Sequence, residues 1–201
     1  MEFLEAWSAG PARPDLAPGE VHLWRIPLDG EPRGAALADV LAALSPSEVR
    51  RADSFLRPDD AHQFALTRAA VRSILARYLG VVPRDVAFET ARSGKPHALS
   101  PDGSPGPRYN STHSGRLAVC AIAAAPVDVG VDLEWMRPAP IAAGVAAGIV
   151  HADGPIRPDE PASIERDWAF FQYWTRTEAA LKATGAAAMA QTARRPEWVE
   201  L

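Results

Sequence analysis

Cysteine is nearly absent from this chain of 201 residues, Cys120 being the only one. No disulfide can close within it, which excludes a small secreted scaffold held by cross-links. The opening MEFLEAW has no basic region followed by a long apolar core, so no secretory leader is expected and a reducing, cytoplasmic setting is. The five histidines form neither HExxH nor a Cys/His cluster, which argues against a zinc site. Positive charge is in short supply as well. With 21 Lys+Arg against 25 Asp+Glu, the net charge is -4 and the pI near 5.7. That balance speaks against a nucleic acid or membrane partner and leaves room for a local basic pocket that takes a phosphorylated ligand. What the chain has is 47% hydrophobic residues, enough for a core in one large domain or two small halves.

The order of elements follows from local signals. VHLWRIPL at 21–28 reads as a first strand after a loose leader containing Pro11, Pro14, Pro18 and Gly19. In LSPSE at 44–48, Ser45 is an N-cap, Pro46 occupies the first helical position and Glu48 closes a capping box. Arg50 and Arg51 ride on that short helix. A longer helix is expected over 58–79, with Asp59 and Asp60 at its positive end, Gly80 as C-cap and Phe64, Thr67, Val71, Ile74, Leu75 and Tyr78 as its buried stripe. Arg68 and Arg72 sit one turn apart beside that stripe, placed either to snorkel or to reach a phosphate together. DVAFET at 85–90 is a short strand, and LAVCAIAAA is a strongly apolar one. Between them, a Gly94-Lys95-Pro96 turn presents Lys95 as a point charge suited to a phosphate, and YNSTHS at 109–114 brings the hydroxyls of Thr112 and Ser114 and the ring of His113 to a sheet edge. IAAGVAAGIV reads as a weak helix.

Two further stretches carry the chemistry. In VDVGVDLE at 127–134, Val127, Val129, Val131 and Leu133 alternate with Asp128, Gly130, Asp132 and Glu134, the period-two pattern of a strand with one buried face. Asp132 and Glu134 would then point the same way, roughly 7 Å apart. They form either a solvated face or a pair of ligands for one hard cation, most simply Mg²⁺. SIERDWAFFQYWTRTEAALKATG at 163–185 is a helix with serine at one end and glycine at the other. Its expected stripe is Ile164, Trp168, Phe171 and Trp174, and Glu178 continues it. A carboxylate there needs a cation, and Lys182 one turn later, or a metal, supplies one.

Taken together, SGKPHAL with YNSTHS, then VGVDLE, then WTRTEAALKATG resemble, in order and spacing, the Sfp-type 4′-phosphopantetheinyl transferases. LSPSEVRRADSFLRPDDAHQFALTRAAVRSILARYLG resembles their amino-terminal helical region. The resemblance implies an α/β (α+β) fold of two pseudo-symmetric halves, here 1–126 and 127–201, with coenzyme A in the cleft between them. It implies Mg²⁺-dependent transfer of the phosphopantetheine arm of coenzyme A to a serine of an acyl or peptidyl carrier protein. Asp132, Glu134 and Glu178 match the magnesium carboxylates, Glu178 or a water the base, and Lys182 the group that stabilises the bridging pyrophosphate oxygen. Lys95, Thr112 and His113 match residues that hold the phosphates of coenzyme A, and Arg51 a basic position near its 3′-phosphate.

Departures accompany the match. Thr177 stands where the family usually has lysine, and Thr112 where it usually has serine. Only sixteen residues follow the KATG stop, where relatives continue for several strands. On this reading the second half is shortened, and an open sheet edge beside 127–133 favours association with another chain. A non-catalytic relative that binds coenzyme A or a carrier protein is the alternative, and an unrelated Mg²⁺-dependent phosphohydrolase a third reading.

Overall fold

The computed structural model describes residues 10–28, 35–139, 156–157, 159 and 161–185. They form an α+β fold with two small antiparallel sheets. Strand β1 (Val21–Pro27) leads into helices α1 (Ala35–Ala43), α2 (Pro46–Asp53) and α3 (Pro58–Leu79). A hairpin of β2 (Phe88–Thr90) and β3 (Pro96–Ala98) precedes the longer hairpin of β4 (Arg108–Ser114) and β5 (Leu117–Ala123). Helix α4 (Ile164–Thr184) closes the described part. The larger sheet has the order β1-β5-β4, so the apolar run expected to be a strand is its central member. Its register pairs Trp24 with Cys120 and Ser111 with Cys120 on one face, and Thr112 with Val119 on the other.

The core lies between α3 and the first of those faces. Val71, Ile74 and Leu75 of the expected stripe pack with Ile26, Val86, Tyr109, Ala118, Cys120 and Ile122. Burial pushes the Cys120 thiol up to about 12, so it behaves as a small apolar side chain. Tyr78 ties the helix to β1, its hydroxyl 2.8 Å from Trp24 Nε1 and 2.9 Å from His22 Nδ1. The caps form where the sequence puts them. Ser45 Oγ accepts the Glu48 N–H, Glu48 accepts the Ser45 N–H at 2.9 Å, and Gly80 ends α3 in the left-handed conformation.

Glu48 does more than cap. It is 8% exposed and takes both arginines of α3, with Arg68 Nε 2.8 Å from its Oε1 and Arg72 Nε donating to its Oε2. Arg72 continues to the carbonyls of Pro83, Arg84 and Val86 at 3.0–3.1 Å, and both guanidinium groups lie over the Phe88 ring. Neither arginine snorkels into solvent or stands ready for a phosphate. This cluster is a buried brace between α2, α3 and the chain entering β2.

Three expectations need correction. Residues 127–134 are not a strand: no backbone ladder includes them, and residues 129–134 are all half-buried rather than alternating. The Val131 N–H goes instead to a side-chain oxygen and the Val127 N–H to the turn carbonyl of Ala124, and the outer strands of the larger sheet among the described residues are β1 and β4. The metal-binding strand and the open edge beside it are therefore absent from this segment. The stripe of α4 is also displaced. Ile164 is 80% exposed and Trp168 half-exposed, whereas Phe170 and Phe171 are buried with Ile156 and Trp174. Residues 85–90 form only a three-residue strand, because Pro83–Asp85 close a 3₁₀ turn first. Helix α1 has no counterpart among the sequence signals, and the expected helix IAAGVAAGIV lies outside the described residues.

Candidate active site

Alternation along β4 puts Asn110, Thr112 and Ser114 on one face, and the three polar side chains hold residues 131–135. Asn110 Oδ1 accepts the Val131 N–H at 2.9 Å, and Ser114 Oγ accepts the Trp135 N–H at 2.8 Å. Between these anchors Thr112 Oγ1 donates to Asp132 Oδ1 at 3.2 Å, and Ser114 Oγ to Glu134 Oε2 at 3.5 Å. Both acids thus face β4, as the period-two spacing requires, although no ladder imposes it. The Trp135 ring covers Gly115 in the β4–β5 turn while remaining 64% exposed.

Helix α4 meets this segment from the other side at Gly130. A Cβ placed there would stand 1.9 Å from Ala179 O and 2.4 Å from Ala183 N, both main-chain atoms of a helix that cannot yield locally. Gly130→Ala should therefore cost at least about 1–3 kcal/mol by overpacking. Chemical denaturation checks this, and a loss below roughly half a kcal/mol would show that the close approach is dispensable.

That approach brings the second half of α4 to the acids. Lys182 Nζ donates to Asp132 Oδ1 and lies 3.4 Å from Thr112 Oγ1. The Asp132 side chain is 5% exposed, and its Oδ2 is buried with no partner. Burial raises the Glu178 carboxyl above the ordinary range; Lys182 opposes this and Asp132 adds to it. Burial also raises Glu134, reinforced by Asp132 and opposed by Arg137, Lys182 and Ser114. Glu134 and Glu178 therefore each feel the charges of Asp132 and Lys182, across a segment and a helix 40 or more residues apart in sequence.

A family model described as 4′-phosphopantetheinyl transferase, N-terminal, matches residues 29–126. The 4′-phosphopantetheinyl transferase HetI of Nostoc sp. is 39% identical over 183 residues, covering 89% of this chain and 74% of its own. This chain belongs to the Sfp-type 4′-phosphopantetheinyl transferase family. Two further relatives are the slr0495 protein of Synechocystis sp., 32% identical over 82% of this chain, and the 4′-phosphopantetheinyl transferase Sfp of Bacillus subtilis, 33% identical over 49%. The chain spans 64% of the first of these two and 42% of the second.

The other residues matched to the transferase family are spread more widely. His113 is exposed on the face of β4 opposite Thr112, and Arg51 is exposed at the end of α2, its guanidinium 5.1 Å from the centre of the Phe55 ring. Lys95 is turned inward, its Nζ 2.8 Å from Val129 O and 2.8 Å from Ala183 O. Thr177, in the place of the family's lysine, donates its hydroxyl to Tyr173 O within α4. Of the three polar side chains on this face, Asn110 is the one the sequence reading does not single out, although polar residues at alternate positions of YNSTHS are a signal for a polar strand face.

The family implies a magnesium ion, and the donor set can be tested for it. Among the described residues no three carboxylate, His or Cys side chains are gathered closely enough to ligate an ion as they stand. The chemistry nevertheless suits a hard cation. All the donors are oxygens, one of them is the unpartnered Asp132 Oδ2, and two carboxyls carry raised pKa values that a nearby positive charge would relieve.

Proposed function

We propose that the chain transfers the 4′-phosphopantetheine arm of coenzyme A to a serine of an acyl or peptidyl carrier protein in a Mg²⁺-dependent reaction. The serine oxygen forms a bond to the phosphorus of the arm, the pyrophosphate P–O bond breaks, and adenosine 3′,5′-bisphosphate leaves. The reading rests on one observation above all: Asp132, Thr112 and Lys182 meet in a hydrogen-bonded cluster whose field reaches both Glu134 and Glu178. In this proposal Asp132, Glu134 and Glu178 would hold magnesium, which would supply charge to neutralise the phosphoryl oxygens.

The remaining steps fall to the chain itself. Glu178 takes the serine proton directly or through a water. Lys182 stabilises charge on the departing oxygen, and Thr112 donates to a phosphate once Asp132 no longer engages it. His113 and Arg51 serve the phosphates of coenzyme A. Because β4 is the outer strand of its sheet, a ligand at its rim meets side chains of both faces. The halves 1–126 and 127–201 would then be the two walls of the cleft.

Mass spectrometry of an apo-carrier incubated with this protein, coenzyme A and Mg²⁺ tests the reading. The expected result is a carrier heavier by one phosphopantetheine, with the gain lost on chelation by EDTA and restored by excess Mg²⁺. No gain across several carriers, with coenzyme A still bound, establishes the non-catalytic binder instead.

A further inference from the structure

Of the 21 basic residues in the chain only Lys95 and Lys182 are lysines, and both lie at this site. Lys95 projects from the turn of the β2–β3 hairpin and is 9% exposed. An ammonium has three N–H donors. Two of these are taken by Val129 O and Ala183 O, each at 2.8 Å, and Asp128 Oδ1 lies 3.8 Å away. Ala183 stands in the last turn of α4, where carbonyls lack partners within the helix and the helix dipole is negative, so a buried cation is well placed there. The compact, tetrahedral donor set of lysine fits between two carbonyls, where the planar fork used at almost every other basic position of this chain would not.

The same turn touches α4 a second time. Gly185, in the left-handed conformation, ends the helix so closely against the hairpin that a Cβ would meet Ser93 Oγ at 2.5 Å. Val129 precedes Asp132 by three residues, and Ala183 directly follows Lys182. One hairpin turn thus holds both the segment that carries Asp132 and the helix that carries Glu178 and Lys182.

We propose that Lys95 is a positioning residue: through Val129 O and Ala183 O it fixes the acidic segment against the end of α4, and its ammonium is committed to protein carbonyls and not to a phosphate of coenzyme A. The effect on turnover rests on the transferase reading; the tether does not.

Three measurements on the full chain test it. In Lys95→Met, which keeps the stem and loses the donors, kcat for carrier modification should fall about ten-fold or more and the Mg²⁺ concentration for half-maximal rate should rise. The affinity for adenosine 3′,5′-bisphosphate, titrated calorimetrically without metal, should stay within about two-fold. Amide exchange should quicken at residues 129–133 and 181–185. A large loss of bisphosphate affinity with kcat and exchange unchanged would overturn the proposal. Amine labelling of the unaltered protein decides the matter even if the variant does not fold. Lys95 should label far more slowly than Lys182, with or without adenosine 3′,5′-bisphosphate, whereas ready labelling that the bisphosphate suppresses identifies a phosphate ligand. If the unaltered protein modifies no carrier, the transferase reading fails, while exchange and labelling still decide the tether.

Discussion

Asp132→Asn should lower phosphopantetheine transfer by about a hundred- to a thousand-fold while changing folding stability by little more than about 1 kcal/mol. The asparagine has the same shape and still accepts from Thr112 and Lys182, so the side-chain cluster survives. What disappears is the negative charge that Glu134 and Glu178 both feel and the buried Oδ2 that has no partner. Removing it eases the repulsion on its two neighbours, which offsets part of the lost attraction to Lys182. The measurement is carrier modification at saturating coenzyme A and Mg²⁺, set beside a denaturation curve. Transfer within a few-fold of the unaltered protein would take Asp132 out of the reaction. Equal losses of rate and stability would make it a structural residue.

The second large effect is on stability alone. Glu48→Leu should cost about 3–5 kcal/mol, because it strips the carboxylate from the two arginines that donate to it. Arg72 is 4% exposed and has no route to water, and the N-cap of α2 loses its Ser45 partner in the same step. The acid limb tells the same story. Burial alone would raise the Glu48 carboxyl; the Ser45 N–H, Arg68 and Arg72 outweigh it and hold the group below its ordinary value. A carboxyl depressed by folding adds stability above its unfolded pKa, near 4.5, and that stability is lost as the pH falls through the folded value. Glu48→Gln should therefore flatten the decline in stability below about pH 4.5. An unaltered acid limb, or a cost under about 1 kcal/mol, would mean that the brace carries little.

The parts of the fold legible in the sequence are those fixed within a few residues. The capping box at Ser45, the left-handed glycines at 80 and 185, and the centre of the α3 stripe at Thr67, Val71, Ile74 and Leu75 each depend on spacing along one helix, and each stands at its expected position, while Phe64 and Tyr78 at the ends of that stripe are only half-buried. The strand expected at 127–134 does not form because period two sets which way side chains point without requiring a ladder. Here the pattern arises from a segment lodged between the polar face of β4 and the backbone of α4, with Gly130 serving close approach. The stripe of α4 was misplaced because a helix turns the same face to solvent or core according to what lies opposite. Lys95 shows the same limit at a single side chain, since GKP announces a presented lysine and only tertiary contacts reveal which way it is presented. The grouping of Asp132, Glu134 and Glu178 as one acidic set comes from the resemblance of separated motifs to a known family, which spacing alone does not supply.

A conventional ladder is written in main-chain atoms, and nearly any side chain leaves it intact. Residues 131 and 135 are hung from Asn110 and Ser114, so their placement is encoded in the codons of a neighbouring strand 21 residues upstream. Changes at those two codons would re-address Asp132 and Glu134 without altering either acid, so the placement of the pair can drift while its composition stays fixed.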